Sequence, residues 1–318
     1  MDNTNITISA TPHIRSGESI QSIMRDVIIA LLPATVMGIV YFRFKALMLI
    51  VISIAAAVIA EAVYQKGTKQ KVTISDLSAV VTGLLLAMNI PASAPWWVPI
   101  VGSVFAIVIV KQLFGGLGQN FVNPALAGRA FLLASYPSIM TNWVTPGADA
   151  VSTATPLALL KAGNIADLPS ITDAFLGNIG GTIGETCALA LIIGGIYLIW
   201  RGVISWRMPV IYIATVFVLT ALIGRSGVRM PVYELFVGGL MLGAFFMATD
   251  YATSPITPAG QIIMAVGCGI LTTLIRIFGG YPEGVSYSIL IMNLCVPLIE
   301  RFTKPTIFGA LPKEAKKA

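Results

Sequence analysis

Ile107–Gly116, IVIVKQLFGG, and Leu271–Gly280, LTTLIRIFGG, are two versions of one string. Each closes the fourth of five apolar runs, centred near Leu32, Ala55, Leu84, Ala106 and Ala130 in the first half and near Leu191, Tyr212, Leu240, Gly267 and Leu290 in the second. An odd number of crossings per copy forces the second copy to enter the membrane from the opposite side, which makes the pair an inverted repeat. Such repeats place discontinuous helices and buried sites at their shared interface, near the membrane midplane. The expected fold is an all-α integral membrane protein of about ten transmembrane helices in a 5+5 arrangement. The third run, Leu77 to Ile90, and the fifth, Pro124 to Ser135, fall short of the roughly 20 residues a crossing needs. Both are expected to be broken or half-inserted.

Composition supports the membrane reading. Of 318 residues, 56% are apolar and only 11% charged, against about a quarter charged in soluble domains, and the mean hydropathy is +0.86. The first apolar run opens near Val27 and leads directly into a second near Ala46, which argues against a cleavable signal peptide. The formal charge of +6 sits in short loops and a C-terminal tail without interleaved aromatics, so orientation, lipid contact and snorkelling explain it and nucleic acid is not expected. Cys187, Cys268 and Cys295 lack metal-ligand spacing and read as packing residues. His13 is the single histidine, which removes His-based metal and triad chemistry.

Placing both termini in the cytoplasm puts most basic residues inside, including Arg15, Arg25, Lys66, Lys111, Arg201, Arg207 and Arg301, as the positive-inside rule expects. The division is then a cytoplasmic segment 1–25, a first membrane repeat 26–135, an extracytoplasmic loop 136–184, a second repeat 185–300 and a basic cytoplasmic tail 301–318. Asp26 and Asp76 read as charges at helix N-termini. Glu61 and Arg129 lie near span ends, where snorkelling is an adequate account. The tryptophans near span ends, Trp96, Trp97, Trp143, Trp200 and Trp206, read as interface anchors.

The extracytoplasmic loop carries Asp149, Ala150, Val151, Ser152, Thr153, Ala154, Thr155, Pro156. One reading is a hydroxyl-rich turn ahead of a helix, with Thr155 as N-cap and Pro156 at its first position. The other is an attachment site, because the stretch resembles the flavin-transferase acceptor signature Asp-x-x-(Ser/Thr)-Gly-Ala-(Thr/Ser). Thr153 stands where that signature has Gly.

With Thr11–Gly17, TPHIRSG, Phe114–Phe131, FGGLGQNFVNPALAGRAF, and Met247–Pro258, MATDYATSPITP, the chain resembles the family of Rnf-complex D subunits and their homologues, the B subunits of sodium-translocating NADH:quinone reductases. The lack of a longer N-terminal extension favours the Rnf side. The resemblance implies a translocase subunit of the cell inner membrane, inactive alone, in an ion-transporting ferredoxin:NAD oxidoreductase. It implies covalent FMN as a phosphoester on Thr155, with Asp149, Ser152, Thr153 and Ala154 completing the acceptor, and a non-covalent riboflavin in the membrane part. For the second flavin the candidates are Gly115, Gly116, Asn120 and Asn123: glycines let backbone approach a flat ligand, and amides match a pyrimidine edge. Equally, Asn123 can cap a helix begun by Pro124. The implied partners are the flavin-bearing G subunit, the A and E membrane subunits, and the iron–sulfur and NADH-binding B and C subunits, with Na⁺ or H⁺ as cargo.

Asp250, next to Thr249, Thr253 and Ser254, is either a solvated loop carboxylate or an ion-coupling group. A different class of function stays open. A five-plus-five inverted repeat with half-inserted helices is also the plan of urea and ammonium channels, so a small-solute, urea-like channel is the alternative.

Overall fold

The computed structural model describes residues 18–146, 154–224 and 230–304. They are mostly helical. The first helix, α1 (Ile20–Gly67), opens with Ser19 as N-cap and Ser22 closing a capping box. At 48 residues it would measure about 72 Å if straight, more than twice a hydrocarbon core of about 30 Å. It is not straight: Arg43 leaves helical geometry at φ 54°, ψ −139°. Asp26 near the start and Glu61 near the end bond to partners at one end of the molecule, whereas Tyr41 donates to the carbonyl of Leu176 at the other. The runs centred at Leu32 and Ala55 are therefore two arms of one element that turns at Arg43.

A 3₁₀ turn (Ile74–Asp76) and a left-handed Leu77 (φ 63°) precede α2 (Ser78–Met88). Asp76 Oδ1 accepts from the Ser78 amide and hydroxyl at 2.8 and 2.6 Å, the role expected of an acid at a helix start. α3 (Trp97–Val104) continues as a wider π-helix, Phe105–Gln112. α4 (Pro124–Ser135) begins as its sequence dictates: Asn123 accepts from the Leu126 amide and Pro124 fills the first helical position. The polar loop holds short helices α5 (Pro137–Met140), α6 (Pro156–Ala162) and α7 (Ile171–Leu176).

The second half runs α8 (Ala188–Trp200), α9 (Arg207–Ile223), α10 (Pro231–Phe236), α11 (Leu240–Leu242), α12 (Pro258–Phe278) and α13 (Val285–Phe302). Between α10 and α11 the backbone breaks at Val237–Gly239, and α11 continues as a π-helix, Gly243–Met247. Among the described residues three helices, α1, α12 and α13, are long and apolar enough to cross a membrane. Large apolar side chains cover the outside: Phe44, Trp200, Phe278 and Phe302 are more than 70% exposed, which suits lipid rather than aqueous surroundings.

Between helices, small residues and hydroxyls take over from bulk. A Cβ on Gly83 would stand 2.9 Å from the backbone of Ile54, and Ser53 donates to the Gly83 carbonyl at 2.7 Å while meeting Ser103 at 3.0 Å. Close backbone approach sealed by hydroxyl bonds is how helices associate where no hydrophobic force drives them together.

Candidate functional site

The polar side chains gather in two clefts at opposite ends of the bundle. The first, of about 360 Å³, is lined by Arg129, Trp143, Thr155, Tyr281, Glu283 and Tyr287, among others. Thr155 caps α6, its hydroxyl accepting from the Ala158 amide at 3.2 Å, and Lys161 on that helix donates to the Gly279 carbonyl, which ties α6 to the loop carrying Tyr281 and Glu283. The rings of Tyr281 and Tyr287 stack with centroids 5.8 Å apart. Beneath them Arg129 reaches Glu283 at 2.6 Å, Ser286 at 2.5 Å, Asn89 at 3.3 Å and Glu185 at 3.5 Å. Burial is the largest effect on the Glu283 carboxyl and raises it, but the Arg129 charge, hydrogen bonds from Glu185 and Arg129, and the Arg276 charge together hold it below the ordinary range.

The second cleft, of about 90 Å³, is lined by Lys111, Asn120, Asn123, Phe246, Thr249 and Asp250, among others. Lys111 is buried and bonds both oxygens of Glu61, at 2.9 and 3.0 Å, and the Ser78 hydroxyl at 2.6 Å. Gln112 donates to the same carboxylate at 2.7 Å. Asp250 is partly buried and accepts from Thr253 at 3.1 Å; burial raises its carboxyl above the usual range.

Several expected site residues meet here and others do not. Thr155 and Ala154 both line the first cleft, while Asp149, Ser152 and Thr153 lie outside the described residues. Asn120 and Asn123 share the second cleft with Asp250. Gly115 and Gly116 do not line it: with φ of 116° and 94° they shape the turn that leaves the π-helix, the Gly116 amide bonding Lys111 O at 3.0 Å. Asn123 serves as helix cap and cleft wall together.

Snorkelling is overturned for Glu61 and Arg129. They are 1% and 7% exposed and ion-paired, because each has a partner from a distant segment and so has no need to reach water. Lys111, counted as a loop charge by the positive-inside argument, is likewise buried. Asp26 is more than a helix-end charge, pairing with Arg201 at 3.0 Å. Tyr281, Glu283, Tyr287 and Glu185 were missed altogether. The signal that could have found the two acids is an ionisable residue beside an apolar run, which marks a functional site by default.

The geometry defines an α-helical membrane protein with buried ion pairs and a cleft at each end, one of them presenting a capped threonine beneath two stacked tyrosines. The chain belongs to the NQR2, RnfD, RnfE family, which matches residues 7–309. It is 57% identical to the D subunit of the Na⁺-translocating ferredoxin:NAD⁺ oxidoreductase complex of Acetobacterium woodii, covering 99% of this chain and 100% of that one. It is 48% identical to the D subunit of the proton-translocating ferredoxin:NAD⁺ oxidoreductase complex of Clostridium ljungdahlii, over 95% and 96% of the two chains. The D subunit of an ion-translocating oxidoreductase complex from Salmonella paratyphi A is 36% identical over 95% and 98%.

Proposed function

We propose that this chain is the flavin-bearing membrane subunit of an ion-translocating ferredoxin:NAD oxidoreductase, active only within its complex. The observation that carries the flavin assignment is Thr155, its hydroxyl fixed by the α6 cap at the edge of an aromatic-lined cleft. That cleft fits a flavin: it is of ligand size, it offers the stacked Tyr281 and Tyr287 to a flat ring system, and it sets a guanidinium where added electron density would be stabilised. Thr155 would tether FMN as a phosphoester, with Asp149, Ser152, Thr153 and Ala154 forming the acceptor. FMN bound there would supply electron transfer. The protein's part is to fix position through the tether, pack the ring on the tyrosines and tune the local charge through Arg129.

The second cleft would hold riboflavin against Asn120 and Asn123, with Asp250 as the ion-coupling carboxylate. About ten passes in an inverted repeat are supported by the contacts, which gather Asp26, Arg201, Lys111 and Asp250 at one end and Tyr41, Leu176, Thr155 and Glu283 at the other. The first end would face the cytoplasm and the Thr155 end the outside. The partners would be the G subunit, the A and E membrane subunits, and the B and C subunits. Moving one charge against 100 mV costs about 2.3 kcal/mol, so electron transfer must change ion affinity or access by at least that much. Family membership over nearly the whole chain favours this reading over a urea-like channel.

The test is a denaturing gel of protein from its native host, viewed under ultraviolet light. A fluorescent band that disappears in Thr155→Val supports the tether. A dark wild-type band rejects it.

A further inference from the structure

Among the described residues, the carboxyls beneath the Thr155 cleft outnumber the guanidinium groups. Arg276 has Glu234 at 4.0 Å and donates to the carbonyls of Glu234 and Val237, so that pair is neutral. Arg129 is the cation that reaches Glu283, and Glu185 lies on the same guanidinium nitrogen. Among the described residues two carboxyls thus face one guanidinium, and they hydrogen-bond each other, a contact that needs one proton between them. Glu185 is 3% exposed, and its Oε1 has no hydrogen-bond donor among the described residues.

Both carboxylates point at the break in the α10–α11 segment. They line a small cavity of about 10 Å³ with Thr155, Gly181, Val237 and Gly238. A Cβ on Gly238, where φ is 75°, would come within 2.9 Å of Glu283 Oε1, and one on Gly239 within 2.7 Å of Glu185 Oε1. Glycine at the break leaves room for Leu157, whose Cδ1 would lie nearest a Cβ on Gly238 at 2.6 Å, and for the two acids. Broken helices at membrane depth are where coupling ions are held, on freed carbonyls and acidic oxygens.

We propose that Glu185 and Glu283 form a site for one monovalent cation, Na⁺ or H⁺, at the helix break next to the Thr155 cleft. The pair selects the ligand: two adjoining carboxyls with Arg129 3.5 Å from Glu185 call for one further positive charge between them, which a monovalent ion matches and a divalent one over-matches. The donors are hard oxygens, which suit Na⁺ as well as a proton. Burial first, then the Glu283 charge, pushes the Glu185 carboxyl up to about 8. The other ionisable groups facing the pair are Arg129 from α4, Arg276 from α12, Glu234 from α10 and Tyr287 from α13. Assigning the site to the transported ion rests on the function proposed above; the site itself needs no flavin.

The experiment uses the purified full chain in detergent. A carbodiimide that adds to protonated buried carboxyls is applied across a pH series in NaCl or in choline chloride, the labelled residues are located by peptide mass, and Tm is followed in parallel. Labelling of Glu185 or Glu283 that fades as pH rises, with protection and a Tm increase specific to NaCl, establishes a Na⁺ site. The same pH-dependent labelling, unaffected by Na⁺, establishes a proton site. No label on either acid at any pH, together with identical Tm in both salts, overturns the proposal. Because wild type carries the result, poor folding of Glu185→Gln does not block the test. Gel fluorescence read from native-host material treated in the same way separates failure of the flavin tether from failure of the ion site.

Discussion

The two buried ion clusters differ in how completely they are satisfied. At the Asp250 end one carboxylate, Glu61, meets one ammonium, Lys111, and Gln112 and Ser78 fill the remaining bonds. At the Thr155 end two carboxyls share one guanidinium, and one oxygen has no hydrogen-bond donor among the described residues. A closed neutral pair has little reason to respond to ions and serves to hold α1 against the π-helical end of α3. An unbalanced cluster at a helix break has a charge left to exchange. Burial alone therefore does not mark function; the balance of charges within the buried group does.

The comparison breaks most sharply at Lys111. Lys111→Met strands Glu61 without its counter-charge, and breaking a buried pair costs about 3–5 kcal/mol. The expected outcome is strong loss of thermal stability in the detergent-purified chain, with most of it regained in Glu61→Leu/Lys111→Met, because an apolar pair of similar volume is tolerated where a lone charge is not. Arg129→Gln comes next. It removes a guanidinium that bonds Glu283, Ser286 and Asn89, but the carboxyl pair can take up a proton in compensation, so a loss of about 2 kcal/mol is expected. Thermal unfolding should show that loss growing as pH rises.

How much of this was legible follows from distance along the chain. The caps at Asn123 and Thr155 could be read directly, since an acceptor side chain followed by Pro is local chemistry that acts within three residues. The inner cleft's Asn120, Asn123 and Asp250 were legible as polar residues flanking apolar runs. The ion pairs were not. Glu61 and Lys111 are 50 residues apart and Arg129 and Glu283 are 154 apart, and hydropathy records which residues enter the membrane but not which of them meet there. Gly115 and Gly116 form the turn that leaves the π-helix, outside the lining of the second cleft.

A smaller effect is expected at Thr155. Apart from the flavin, Thr155→Val removes the acceptor for the Ala158 amide, and loss of an N-cap costs about 1 kcal/mol. Thr155→Ser should keep that stability and, if the tether reading holds, the fluorescent band as well. A Ser variant as unstable as Val would show that packing of the methyl group matters there as much as the cap bond.

The smallest change near the acidic end of the range, and the one that discriminates best between the clusters, is Glu185→Gln. The folded chain raises the Glu185 carboxyl from 4.5 to about 8, so it binds a proton more tightly than the unfolded chain does. By linkage the stability this contributes is fully present below the unfolded value and is lost as pH rises through the folded one. Glutamine has the shape of the neutral acid and cannot ionise. The variant should therefore match wild type near the unfolded value and exceed it in sodium-free buffer above the folded one, giving a flatter Tm profile across that window. Gln112→Leu at the other cluster should shift Tm at every pH without changing the slope, because it removes a bond and not a titrating group. Parallel profiles for Glu185→Gln and wild type would mean that the two clusters are alike after all, each a fixed charge arrangement with no proton to exchange.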